Sequence, residues 1–328
     1  MLLFKSLAFR SLALGAMLCM STHALAQNIG APNRPVRIVV GFPPGGSADA
    51  IARAVGQSMS KTLGQPVVVD NRPGALATIG GEHAARSAPD GNTLFLGFAG
   101  GHSLTPAIMT MRYDPIKELP PLAAVSRGEQ VFVTNASKNM SSLADYVAWA
   151  KANPGKGNFG SIGNGSANHL VSVLFERAAG IKSVFAPYQG AAPAIQGLLT
   201  GEIDILEVDL AAAMPMITSG KLVALAVAST KRSSFLPKIP TTAEAGFPGI
   251  VSESVVALFV PVGVPTEVAK SLQRAVSVAL ADADVQKIFQ TIGVIPFDAT
   301  PAEVLGLIRK QSDELVPLAK ELNIRLNL

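Results

Sequence analysis

Two turns in this chain place glycines beside hydroxyl and amide side chains where a strand runs into a helix, a combination suited to holding an anion. The first is Gly41-Phe42-Pro43-Pro44-Gly45-Gly46-Ser47-Ala48-Asp49. Its prolines stiffen the backbone, its glycines let main chain approach a ligand closely, Ser47 is placed to cap the next helix and Asp49 falls in that helix's first turn. The second, Gly163-Asn164-Gly165-Ser166-Ala167-Asn168-His169, repeats the design in mid-chain. Free N–H groups at a helix start can bind an anion without any positive side chain. In open α/β sheets such sites lie beyond the carboxyl ends of strands. Either turn alone reads equally as a capped structural turn. Two of them in separate βα series suit a cleft that grips an anion from both sides. Gly100-Gly101-His102-Ser103 and Gln189-Gly190-Ala191 are lesser candidates, each readable as a plain turn.

Other chemistry has weaker support. The first turn is not a phosphate-binding loop, because no Lys-Ser or Lys-Thr pair follows its second glycine, and it does not fit G-x-G-x-x-G. No G-x-S-x-G nucleophile elbow is present. Ser166 and His169 are close in sequence, but no acid is marked as their partner. His83, His102 and His169 lack metal-ligand spacing, and no cysteine is available to join them. Glu202 with Asp204, and Glu207 with Asp209, alternate along a strand-like segment and share a face there; they read as exposed strand acids. Neither catalytic residue, metal nor cofactor is expected. Aromatic residues are only 5% of the chain, with Trp149 on an amphipathic helix near the surface, which disfavours a sugar ligand held by ring stacking.

The elements that must position these turns alternate strand, turn and helix. Val36 to Val40 is a β-branched run, and Ala48, Ile51, Ala52, Val55, Met59 and Leu63 then recur at helical spacing before Gly64. Val67-Val68-Val69, Thr93 to Phe98, Val131-Phe132-Val133, Asn158 to Ser161, Ile203 to Leu206, Ala224 to Val227 and Val255 to Val260 read as strands. Helical runs surround Leu143, Leu170, Ala194 and Leu272, and one or two more lie between Val304 and Leu322 with Pro317 as the expected break. This alternation predicts α/β architecture with largely parallel sheet and helices on both faces. A second βα series begins near 128 and ends near 253. The expected units are lobe I, 27–127 plus 254–328, and lobe II, 128–253, with hinges near Ser126 to Gln130 and Ser252 to Val256.

Length and composition allow this: 328 residues, 48% hydrophobic and 15% charged, describe a folded chain of about two ordinary domains. Lys5 and Arg10, the apolar run Leu12 to Met20, and Ala24-Leu25-Ala26 have the order of a secretory signal spanning 1–26 and cleaved after Ala26. Cleavage would remove Cys19, the one cysteine, and would take the formal charge from +4 to +2, too small to argue for nucleic acid.

Taken together these segments resemble the solute receptors of tripartite tricarboxylate transporters, also called Bug receptors. The resemblance runs over essentially the whole mature chain. It rests on Arg34 to Val40, Phe42 to Asp49, Gly64 to Gly74, Ala88 to Gly91, Gly163 to Ser166, Pro187 to Gly190, Ser219 to Leu222 and Pro240 to Gly246. It implies a two-lobe, type II periplasmic-binding fold of Venus-flytrap kind, with a small carboxylate in the interdomain cleft. It also implies a monomer in the periplasm that delivers its ligand to membrane permease subunits of a tripartite tricarboxylate transporter. By the same resemblance the ligand-binding positions are Pro44, Gly45, Gly46, Ser47, Ala48, Asp49, Gly163, Asn164, Gly165, Ser166, Gly190 and Asp209. The chain departs from the family's common pattern at Val208-Asp209, Val255-Val256 and Thr105, which bears on which acid fits. Two alternatives stand beside transport: docking on a sensor kinase, and an enzyme of small acids.

Overall fold

The computed structural model describes residues 34–326, so the expected signal, its cleavage after Ala26 and Cys19 lie outside the described residues. The first βα series comprises β1 (Val36–Val40), α1 (Ser47–Leu63), β2 (Val67–Asn71), α2 (Thr78–Ala85), β3 (Thr93–Phe98) and α3 (Ala99–Ile108). Ile51, Ala52, Val55 and Met59 bury one face of α1, and Gly64 ends it in the left-handed conformation at φ 66°. The long strand β4 (Pro121–Asn135) leads into the second series: α4 (Leu143–Ala152), β5 (Asn158–Ser161), α5 (Ala167–Ala179), β6 (Val184–Pro187), α6 (Ala191–Thr200), β7 (Ile205–Asp209), α7 (Leu210–Thr218) and β8 (Leu222–Val227). The chain returns through β9 (Glu253–Phe259) to α8 (Thr266–Ala281), α9 (Ala283–Ile292), β10 (Val294–Pro296) and α10 (Pro301–Glu321).

Strand order shows one plan used twice. In the first sheet β2-β1-β3-β9-β4 are neighbours, with β1 parallel to β2 and β3 and the returning β9 antiparallel. In the second, β6-β5-β7-β4-β8 repeats that order, with β5 parallel to β6 and β7 and the entering β4 antiparallel. The sheets are therefore mixed rather than largely parallel, because each takes in one strand that arrives from the other lobe. β4 serves both: it pairs with β9 from Pro121 to Glu129 and with β7 and β8 from Gln130 onward. This is the two-lobed α/β fold that the resemblance implies.

Apolar cores lie on both faces of each sheet. One is built around α1 and α8 and another around Phe95, Phe259, Val304 and Ile308. The second lobe packs Leu198, Leu206 and Leu210 on one face and Phe132, Tyr146, Phe159 and Phe175 on the other. A smaller cluster joins the lobes, where Leu104 and Ile108 of α3 and Ala319 of α10 meet Leu170 of α5. Each such fully buried aliphatic side chain contributes about 1.5–3 kcal/mol.

Four further sequence expectations are corrected. Pro317 does not break the last helix, which runs unbroken to Glu321. The proline removes one N–H donor only a turn from the end, and packing of Ala319 and Leu318 into the interlobe cluster holds the segment. Gly100 to Ser103 is the first turn of α3 rather than a plain turn. Ser47 does not cap α1; the N-cap is Gly46, with no side-chain bond, because the Ser47 hydroxyl is drawn to another partner. Asp204, Glu207 and Asp209 are buried, not exposed, since β7 lies in the middle of its sheet.

Candidate functional site

A cleft with about 690 Å³ of empty space, part of it open to solvent, lies between the lobes. Phe42, Phe98 and the start of α3 form one wall; Ile162 and the start of α5 form the other; Gln130 on β4 and Ser252 to Val255 at the head of β9 close the hinge side.

The α5 wall shows how local sequence builds a donor surface. Gly165 turns the chain at φ 77°, and its N–H donates to Nδ1 of His169 at 3.1 Å. Burial holds His169 below its ordinary pKa, so the ring is neutral and Nδ1 is free to accept. Ser166 is the N-cap, its Oγ accepting from the His169 backbone N–H at 3.1 Å. Ala167 and Asn168, the first helical residues, line the cleft. Across from them α3 starts at Ala99 without a side-chain cap, and Gly100 and Gly101 border the same space. The two helix starts almost touch: a Cβ on Gly100 would stand 3.6 Å from the Cβ of Ala167. Behind α3, His102 stacks on Phe259 with centroids 3.7 Å apart. Burial pushes its pKa down to about 4, so it adds no charge at neutral pH.

The hinge side carries a chain of hydrogen bonds. Gln130 Nε2 donates to Asp209 Oδ1 at 2.8 Å, and Ser47 Oγ, from the other lobe, donates to Asp209 Oδ2 at 3.2 Å. Asn168 Nδ2 donates to Gln130 Oε1 at 3.0 Å and to Glu207 Oε2 at 2.5 Å. Glu207 has no exposed surface, and burial pushes its pKa up to about 8. Burial also raises Asp209, opposed by hydrogen bonds from Ser254, Ser47 and Gln130. The network thus ties the first turn of α5, β4, the end of β7 and the start of α1 to one carboxylate.

The expected site residues divide. Gly165, Ser166 and Asp209 line the cleft, and Ser47 stands one hydrogen bond behind Asp209. Pro44 and Gly45 instead border a groove shared with Tyr188, Gln189 and Ala192. Gly163 and Asn164 face a separate space of about 700 Å³, part of it open to solvent, beside Leu76. Gly190 starts α6, where a Cβ would lie 3.3 Å from Cδ of Pro43. Gly46 is the N-cap of α1 and Ala48 is buried in its core. Asp49 faces inward: its carboxylate accepts from Gly45 N–H at 3.1 Å, Arg53 Nε at 3.0 Å and Asn71 Nδ2 at 3.1 Å. Burial works to raise its pKa, but these partners, Arg53 foremost, hold it below the ordinary value. Of the positions where the chain departs from the family pattern, Thr105, Val255 and Asp209 border the cleft, while Val208 and Val256 are buried in the cores.

Sequence reasoning missed Gln130, Asn168, Glu207 and Ser254 as site groups. An amide on a long apolar strand and a buried acid on another carry no local signal. Asn168 did lie two residues past a cap, and that position was readable. Among the described residues no group of His, Cys, Asp and Glu could hold a metal ion, and no helix is long and apolar enough to cross a membrane.

Comparison with known proteins agrees with this geometry. A family model described as the tripartite tricarboxylate transporter family receptor matches residues 51–324. Protein BugT of Bordetella pertussis is 36% identical over 300 residues, covering 90% of this chain and 91% of that protein. A solved structure from Rhodopseudomonas palustris with adipate superposes with a TM-score of 0.85 at 30% identity, covering 90% of this chain and 99% of that one. The MatC protein of the same species with bound malate gives 0.82 at 29% identity, with 88% and 99% covered.

Proposed function

The chain belongs to the tripartite tricarboxylate transporter receptor family, a family of solute-binding receptors, and we propose that it captures a small carboxylate by closing its two lobes and delivers it to the membrane subunits of such a transporter. The observation that carries this reading is the meeting of two helix starts, α3 and α5, from opposite lobes across one cleft with no lysine or arginine in its lining. Backbone N–H groups there can donate to one carboxylate from both sides only when the lobes approach it. A ligand that reaches both prefers the closed arrangement, and that preference shifts the population. Relatives described with malate and with adipate support the carboxylate class.

The lobes are proposed as 27–127 plus 254–328 and 128–253, supported by the change of partner along β4 between Glu129 and Gln130. The strands crossing there, Ser126 to Gln130 and Ser252 to Val256, are the proposed hinges. The receptor is read as a periplasmic monomer, released by cleavage after Ala26, that binds without transforming its ligand. Family membership favours a permease partner over a sensor kinase or an enzymatic role.

Calorimetry and small-angle scattering test this together. An acid should bind, its neutral amide should bind more weakly, and the radius of gyration should fall on binding. Binding of neutral sugars with no acid bound, or recovery of a converted product at turnover, would overturn the reading. Intact mass of the exported protein checks the cleavage site.

A further inference from the structure

Resting on the receptor reading, we infer that the cleft selects an acid with a single carboxylate and an apolar body, and that Asp209 and Glu253 turn away a second carboxylate. Several donors in the lining are already committed. The side-chain amide of Gln130 donates to Asp209, and that of Asn168 donates to Glu207 and to Gln130 Oε1. The single hydroxyl proton of Ser254 is shared between two nearby acceptors, Gly128 O at 3.4 Å and the Asp209 carboxylate. What remains for a ligand is the pair of helix starts, enough for one carboxylate, the hydroxyls of Thr105, Ser166 and Ser252, and the amide of Gln311 on α10.

The rest of the wall is of two kinds. Phe42, Leu76, Phe98, Leu104, Ile162 and Val255 present apolar surface, which stabilises a hydrocarbon or ring and penalises an unpaired charge. Asp209 and Glu253 present carboxylates. Asp209 already receives hydrogen bonds on both oxygens, from Gln130 and Ser47. Glu253 sits directly across the strand pair from Glu129, in register, so negative charge is concentrated at this hinge. Arg127 is the cation on that strand, but it stands 3.7 Å from Glu253 and lies over the Phe297 ring at 3.8 Å, outside the lining. A second carboxylate would therefore meet mostly hydrocarbon or like charge, with only neutral hydroxyls and the Gln311 amide to set against the repulsion of Asp209 and Glu253.

Matched pairs of acids test the inference by calorimetry on the mature protein: hexanoate against adipate, and benzoate against terephthalate. The monocarboxylate of each pair should bind tighter by about tenfold or more, the scale expected when a like charge is brought against a partly desolvated one. Glu253→Gln, at a half-exposed position, should narrow that ratio by about threefold, the smaller effect of a screened charge. Adipate binding tighter than hexanoate, or a ratio unmoved by Glu253→Gln, would overturn the inference while leaving a carboxylate receptor standing. Failure of all four acids where their neutral amides bind would overturn the carboxylate reading and this inference with it.

Discussion

The two glycine turns share a local design and do different work. In the β5–α5 turn, Gly165 donates to His169, Ser166 caps the helix, and the donor surface that results faces the cleft. In the β1–α1 turn, Gly45 N–H is satisfied by Asp49, Ser47 reaches across the lobes to Asp209, and the prolines face a different groove. An acid in the first helical turn makes the difference. Asp49 fills with its own carboxylate the place that an incoming anion would take, whereas α5 begins Ala167-Asn168-His169 and leaves its first turn without a negative charge. We read the β1–α1 turn as a brace between the lobes. We read α3 as the partner helix start in lobe I, with Gly100 and Gly101 bordering the cleft.

If that contrast is right, the largest loss should follow from burdening the α5 turn. Gly165→Val would force a branched residue to φ 77° and place its Cβ 2.5 Å from Cδ1 of Ile108, with Ile324 and Leu326 also close. Strain and overpacking of this kind cost about 3 kcal/mol or more, so affinity for a bound acid should fall by about a hundredfold. Calorimetry measures it, and circular dichroism confirms that the variant is folded. Retained affinity in a folded variant would move the anion grip away from α5.

Next in size is a pH effect that touches the α5 side alone. Glu207 is pushed up to about 8 by burial, from an ordinary value near 4.5. The folded state then binds the extra proton between those values, so stability is full below pH 4.5 and is lost as pH rises through about 8. Glu207→Gln should flatten the fall in stability between pH 5 and pH 8 by about 3 kcal/mol, read from denaturant midpoints at the two pH values. Asp49 works in the opposite sense: its lowered pKa contributes stability that is lost as pH falls through its folded value. An unchanged slope in Glu207→Gln would show the acid to be ionised and paired in the folded protein.

Much of the fold was legible because it rests on periodicity. The β-branched run at Val36, the spacing of Ile51, Val55 and Met59, and the αL glycine at Gly64 each act locally and each hold in the structure. What was not legible depends on tertiary contacts. Nothing in Pro121 to Ser126 announces that β4 will run through both lobes. Nothing around Glu207 says that β7 is central and its acids buried. The cap at Ser166 was readable as a hydroxyl before a helix, but the same sign at Ser47 misled, because an aspartate far along the chain captures that hydroxyl.

Those two serines give the next smaller test. Ser166→Ala removes a cap and should lower stability by about 1 kcal/mol with or without ligand. Ser47→Ala removes one hydrogen bond between the lobes, also worth about 1 kcal/mol, but the loss should appear in ligand affinity more than in stability of the free protein. Thermal melts of both variants, free and ligand-saturated, separate the cases. Equal effects of Ser47→Ala in the two conditions would mean that the lobes stay together without ligand.

The smallest effect, and the sharpest contrast with Gly165, is expected at Gly46. A glycine pair in a turn invites the reading that backbone approaches a ligand there, and on that reading any Cβ would abolish binding. The geometry says otherwise. Gly46 is extended, at φ −85° and ψ 176°, a conformation open to any residue. A Cβ built on it meets nothing nearer than Pro43 O at 3.9 Å. Alanine is a poorer N-cap than glycine by some tenths of a kcal/mol, and it regains about as much by restricting the unfolded chain. Gly46→Ala should therefore change stability by less than about 0.5 kcal/mol and affinity by less than about twofold. Gly45→Ala, at φ 86°, should cost about 1 kcal/mol through strain alone, since its added Cβ would stand 4.0 Å from Ala192. If Gly46→Ala abolished binding while the protein stayed folded, the β1–α1 turn would have to touch the ligand after all, and the division between brace and grip would fail.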